Sequence, residues 1–136
     1  MKKVFISVMV TLSIFFVCTA FFQKYDLPKS IERGKEVYTT YCMSCHMQDG
    51  KDPNDIYPPL ATSDYLKKPA DSLINIVLEG QTGEIVVNDK KYNGQMLAQN
   101  YLNDDQIADV LNYIRNSLGN KIPDAITPAQ VKAQRE

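Results

Sequence analysis

The chain is poor in histidine and cysteine: one His, His46, and three Cys among 136 residues. A structural zinc site usually takes four Cys or His ligands. Beyond Cys42, Cys45 and His46 only Cys18 remains, inside an apolar N-terminal stretch. A zinc site would therefore need a carboxylate such as Asp49 or Asp52 to complete it. Positive charge is not in excess. Formal net charge is −1 and no basic stripe is present, which argues against a nucleic-acid partner. There is no internal repeat and no low-complexity tract. No nucleophile–base pair or substrate-shaped motif appears, so an independent enzyme is not expected. No βαβ pattern surrounds the paired cysteines, which removes the usual setting of a redox dithiol.

What is present is the run Cys42-Met43-Ser44-Cys45-His46. C-x-x-C-H is the pattern for covalent attachment of a c-type haem. Two thiols add across the two vinyl groups of one macrocycle. Two intervening residues let one turn of backbone present both sulfurs to one edge. The His that follows lies under the iron as an axial ligand. The single His of the chain stands in the one position this scheme requires.

The length of 136 residues predicts one domain. Residues 1–22 read as a signal peptide or N-terminal membrane anchor. Lys2 and Lys3 form a charged start, and Val4 to Phe22 carry no charge. Cys18-Thr19-Ala20 offers small residues for cleavage after Ala20. An uncleaved run of that length also suffices to span a bilayer, with the N-terminus inside and the domain outside. A third reading lipidates Cys18, although bulky Phe15, Phe16 and Val17 precede it. All three export the domain to the periplasm or the outer face of the cytoplasmic membrane. Without residues 1–20, which carry Lys2 and Lys3 and no acid, 13 basic residues face 16 acidic ones, a net −3.

Residues 23–29 read as a linker broken by Pro28, and 30–136 as the folded domain, with 119–136 as a C-terminal extension. Ser30 is the predicted N-cap of a helix to about Tyr41. Gly34 lies inside it, which suggests close helix–helix approach, with Tyr38 on the same face. Met47 to Asp55 form a polar loop, followed by Tyr57-Pro58-Pro59-Leu60. A proline carbonyl, from Pro58 or Pro59, suits the other ring N–H of an axial imidazole; an ordinary Pro-Pro turn is the alternative. Asp71 to Leu78 predict a short helix capped at Asp71 or Ser72 and ended by Gly80. Glu84 to Tyr92 suggest a small hairpin around Asn88-Asp89. Asn103 to Gln106 predict a capping box, and Ile107, Val110, Leu111 and Ile114 recur at helical spacing, ending at Gly119. Tyr113 is expected against Gly34 and Tyr38. A last short helix starts at Pro128 with Thr127 as N-cap.

With one His, two imidazoles cannot hold one iron within this chain. Met1 and Met9 lie in the leading segment, and Met43 and Met47 are tethered beside His46. Met96, in the Gly-containing loop Asn93-Gly94-Gln95-Met96, is the sulfur placed to be a second axial ligand. Lys90, Lys91 or an open position are the alternatives.

The order of these parts resembles a class I, mono-haem cytochrome c: a helix with Gly34 and Tyr38, then CMSCH, Pro58-x-Leu60, a late Met, and a helix with Tyr113. The resemblance covers about residues 30–119. The tail ITPAQVKAQRE and the run Tyr92 to Met96 resemble the small cytochrome c modules found beside copper nitrite reductases and quinoprotein dehydrogenases. The resemblance implies an all-α fold of four to five short helices around one covalent haem, with a small hairpin before the Met96 loop. It implies Met96 as distal ligand and Pro58 as the residue whose carbonyl meets His46. One departure is Met47, which stands where Gly usually follows the motif.

The expected function is one-electron transfer by iron held between His46 and Met96. The donor would be a quinol-oxidising complex or dehydrogenase, and the acceptor a terminal oxidase or reductase. The alternatives are a haem subunit of a dehydrogenase or reductase complex, and a haem peroxidase or sensor with a labile distal ligand. A thiol–disulfide oxidoreductase using Cys42 and Cys45 is a further one.

Overall fold

The structure is a computed structural model that describes residues 25–136 except 53 and 55. Among the described residues five α-helices follow in order: α1 Leu27–Tyr41, α2 Met43–His46, α3 Ala70–Glu79, α4 Asp104–Asn116 and α5 Pro128–Ala133. A 3₁₀ turn, Asp64–Lys67, precedes α3, and a hairpin of β1 Ile85–Val87 and β2 Lys90–Tyr92 follows it. Residues 1–22, and with them the choice among cleavage, anchor and lipidated Cys18, lie outside the described residues. No helix among the described residues is long and apolar enough to cross a membrane.

The first helix starts earlier than its sequence suggests. Asp26 is the N-cap, and its carboxylate accepts from the Lys29 amide at 3.2 Å. Pro28 sits in the first turn, where its missing N–H costs nothing. Residues 27–29 are therefore helix rather than linker, and Ser30 is not the cap. Ser30 is fully buried and donates its hydroxyl to Asp109 at 2.6 Å. A serine that looks like a cap is a bridge to another helix.

That other helix is α4. Asn103 caps it through a complete capping box with Gln106. α1 and α4 meet at Gly34, where an added Cβ would lie 1.9 Å from the Asp109 carbonyl oxygen and 2.8 Å from Tyr113 Cβ. No side chain fits there. Tyr38 and Tyr113 flank the contact with ring centroids 5.3 Å apart, as expected from the spacing. The same crossing holds a buried polar cluster. The Asp109 carboxylate accepts from Arg33 Nε at 2.6 Å and Nη2 at 2.7 Å. The Asn112 amide donates to Ser30 at 2.9 Å and to the Ile126 carbonyl at 2.7 Å, and accepts from the Ile126 amide at 2.8 Å. This ties the tail onto both helices.

α3 begins at Ala70, just before the expected cap, because Pro69 takes the N-cap position and holds Lys68 extended. Leu73, Ile74, Val77 and Leu78 form its buried face and join Ile107, Val110, Leu111 and Ile114 in one core with Ile126 and Val131. The hairpin turns at Asn88-Asp89, both at positive φ (49° and 61°). That matches the right-handed twist of the strands it joins. The Asn88 side chain and backbone exchange bonds with Asp64 at 3.0 and 2.8 Å, docking the hairpin on the 3₁₀ turn.

Candidate functional site

α2 is the motif itself. The Cys45 and His46 amides both bond back to the Cys42 carbonyl, at 3.2 and 2.9 Å. One tight turn thus presents both sulfurs and the imidazole. The two sulfurs are not joined to each other; Cys42 is half-buried against the core and Cys45 is exposed. Burial pushes the Cys42 thiol up to about 11, with the Cys45 charge adding to the rise. Reactive redox cysteines have lowered values, and Cys42 departs in the opposite direction. Among the described residues, no group of three or more His, Cys, Asp or Glu side chains converges as a metal ion requires. The zinc reading has no completing carboxylate there.

His46 is half-buried. Burial lowers its pKa, opposed by the Pro58 carbonyl as acceptor and by the Asp52 charge. A lowered value keeps the imidazole neutral, the form that binds iron. Nδ1 is buried and makes no hydrogen bond of full geometry. The Pro58 carbonyl and the ring are thus neighbours that stop short of a well-formed bond. Tyr57 lies beside the imidazole with centroids 6.3 Å apart and the rings tilted by 55°.

The segment carrying Pro58 is fixed at both ends. The Gly50 carbonyl accepts from the Leu60 and Ala61 amides at 2.9 and 3.0 Å, closing the loop. Asn120 donates to the Leu60 carbonyl at 2.8 Å and accepts from the Ser63 amide at 3.1 Å. Within the loop, the Asp52 carboxylate accepts from the amides of Asn54, Ile56 and Tyr57 at 2.8–2.9 Å. The sequence offers Asp52 only as a carboxylate that could complete a zinc site, and it does not single out Asn120. An Asp five residues before Tyr57 is a signal for such a turn; Asn120 gives none, because its partners lie far along the chain.

Met96 is half-buried and its backbone is paired in an isolated bridge. Its N–H and C=O bond Gln81 at 2.9 and 3.0 Å. Gly80 makes this possible: it has φ +83°, and a Cβ there would sit 2.4 Å from the Met96 carbonyl oxygen. The loop before Met96 runs beside the Pro58 segment, since a Cβ on Gly94 would lie 3.4 Å from the Ile56 carbonyl oxygen. The alternative amines are engaged elsewhere. Lys91 pairs with Glu84 at 2.9 Å and Lys90 lies over the Tyr92 ring. Met43 packs on the core.

Large apolar side chains border this region while exposed to solvent. Leu97, next to Met96, is 68% exposed and Ile56, next to Tyr57, is 58% exposed. Tyr41, preceding Cys42, meets Tyr101 edge to face at 5.9 Å. Two cysteine sulfurs and an imidazole presented by one turn, a thioether loop and open apolar flanks fit a haem.

The cytochrome c family model matches residues 31–118, most of the described chain. The chain belongs to the cytochrome c family. As in that family, haem c with iron is its covalent cofactor, and the all-α fold with one small hairpin agrees. Cytochrome c-552 of Thermus thermophilus is 38% identical over 90 residues, covering 63% of this chain and 68% of that protein. The cytochrome c subunit of the quinone alcohol dehydrogenase of Gluconobacter oxydans is 31% identical over 105 residues, 75% of this chain but 22% of that subunit. The cytochrome c subunit of gluconate 2-dehydrogenase of Pantoea cypripedii is 32% identical over 126 residues, 87% of this chain and 29% of the subunit. The cytochrome thus spans less than a third of these dehydrogenase subunits.

Proposed function

We propose that this cytochrome carries single electrons between respiratory redox proteins outside the cytoplasm, with haem bound through Cys42 and Cys45 and iron held by His46 and Met96. The observation that carries the reading is the α2 turn, which presents both sulfurs and the only imidazole of the chain from one backbone loop. Bound there, haem c supplies a one-electron iron couple. The remaining work belongs to the chain. Cys42 and Cys45 tether. Burial keeps His46 neutral, and the Pro58 segment orients it. The Gln81 bridge fixes Met96, whose thioether favours the reduced form over other axial pairs. Two fixed ligands leave little to rearrange when one electron arrives.

The dehydrogenase subunits among the relatives support a second reading, in which the cytochrome is a resident haem subunit of an oxidoreductase complex. A dehydrogenase or a quinol-oxidising complex is the donor class in either case, and a terminal oxidase or reductase the acceptor class. Co-purification separates a resident subunit from a free carrier. The ligand set is tested by Met96→Ala in the holoprotein. The oxidised wild type shows the weak red absorption of iron–thioether ligation; the oxidised variant loses it, and the reduced variant binds carbon monoxide. A wild type that binds carbon monoxide readily would contradict the carrier and favour a peroxidase or sensor.

A further inference from the structure

We infer that the Tyr38 hydroxyl is a positioning group for His46, holding through its bond to the Met47 carbonyl the strained residue that closes the haem-binding turn. Met47 is the C-cap of α2, with φ 58° and ψ 167°. That conformation is almost confined to glycine, because a Cβ crowds the backbone there. Here a long side chain occupies it, immediately after the proposed axial ligand. Such a residue persists only where its surroundings over-determine it.

The surroundings are on the page. The Met47 amide bonds the Met43 carbonyl at 2.9 Å, which anchors the residue to the turn. The Met47 carbonyl accepts from the Tyr38 hydroxyl at 2.7 Å, while the His46 carbonyl lies farther from it at 3.3 Å. A contact from the Gly50 amide at 3.4 Å is longer than either. Tyr38 itself is 1% exposed and packs at a tilt against Tyr113. Its ring is wedged by the α1–α4 crossing, so the hydroxyl is delivered from the rigid part of the fold. A buried Tyr hydroxyl needs some acceptor in any fold. What distinguishes this one is that its acceptor is the strained residue. The bond then does two things: it satisfies the phenol, and it prevents the Met47 peptide from relaxing and turning His46 with it.

The inference rests on the proposed His46 ligation and is tested in the full-chain holoprotein. Tyr38→Phe keeps the ring and removes the donor. Met47→Gly removes the strain and keeps the carbonyl. Amide hydrogen exchange is followed over residues 43–50 and over α1 and α4, together with the midpoint potential. Tyr38→Phe should speed exchange in 43–50 about tenfold, as the loss of one hydrogen bond implies, and shift the potential. In the Met47→Gly background the same substitution should change exchange less than about threefold and leave the potential near that of Met47→Gly alone, since no strain remains to be held. A merely structural Tyr38 moves both backgrounds equally, or speeds exchange uniformly through α1 and α4; either result overturns the inference. Coupled exchange with an unmoved potential overturns the role toward His46 and points to a fault in the ligand reading. If Tyr38→Phe does not accumulate, accumulation of folded Tyr38→Phe/Met47→Gly holoprotein supports the inference, and failure of both overturns it.

Discussion

Single residues decide how α1 and α4 approach. At Gly34 two effects of a methyl oppose each other. Alanine would favour the helix by about 0.5–1 kcal/mol. It would also drive a Cβ to 1.9 Å from the Asp109 carbonyl oxygen. Overpacking of that kind costs about 1–3 kcal/mol, so the clash wins. Gly34→Ala should lower stability by about 1–2 kcal/mol net in urea unfolding of the holoprotein. An unchanged midpoint would mean the helices part easily. At Asp109 the partner matters: the Arg33 side chain is 52% exposed and can return to water, whereas the carboxylate is 4% exposed. Asp109→Asn should therefore cost about 1–3 kcal/mol through lost charge-assisted bonds rather than a full buried ion pair. The close approach at Gly34 was legible because a glycine inside a helix is out of place. The cluster behind it was not. Ser30 reads as a cap from its neighbours alone, and only the α1–α4 crossing reveals its partner 79 positions away.

Among the elements, the site depends on two loops that carry no regular structure of their own. Residues 50–60 hang on the Gly50 carbonyl and on Asn120, and inside them Asp52 gathers three amides. Asp52→Ala should leave those amides to water, speed their exchange about tenfold, and spare α1 and α4. Uniform protection in the variant would show that Asp52 is ornamental. The Met96 loop hangs on Gln81 and on the space Gly80 leaves. A residue with a Cβ at Gly80 meets both a positive φ and the Met96 carbonyl. Gly80→Ala is expected to weaken the red thioether absorption, while Gly83→Ala, which meets the same positive φ but nothing within 4 Å of its added Cβ, should not. The Asn103 capping box, the Asn88-Asp89 turn and the motif were readable from sequence because each is local. Loop anchoring was not, since Gly50 with Leu60 and Asn120 with Leu60 are contacts across the chain. Pro28 misled for the same local reason: a proline that breaks a helix and one that starts it differ only in where the cap lies.

At the scale of the whole molecule, the tail is part of the domain rather than an appendage. Ile126 and Val131 are fully buried, and Arg135 pairs with Asp104 at 2.6 Å while also donating to the Asn100 and Leu102 carbonyls. Removing residues 125–136 exposes the pocket of two buried aliphatic side chains, worth about 3–5 kcal/mol together. The truncated holoprotein should unfold at markedly lower urea, with its α2 turn unaltered at low denaturant. The polar clamp at α1–α4, the tail and the core therefore serve one end: they hold α2 still while an electron comes and goes. The central claim is that one haem is bonded to Cys42 and Cys45. The most direct measurement is the intact mass of the native protein under denaturing, reducing conditions, with Cys42→Ser/Cys45→Ser beside it. The account expects the wild type to retain the mass of one haem and the double variant to lose it. A wild type whose mass equals that of the bare polypeptide would contradict it.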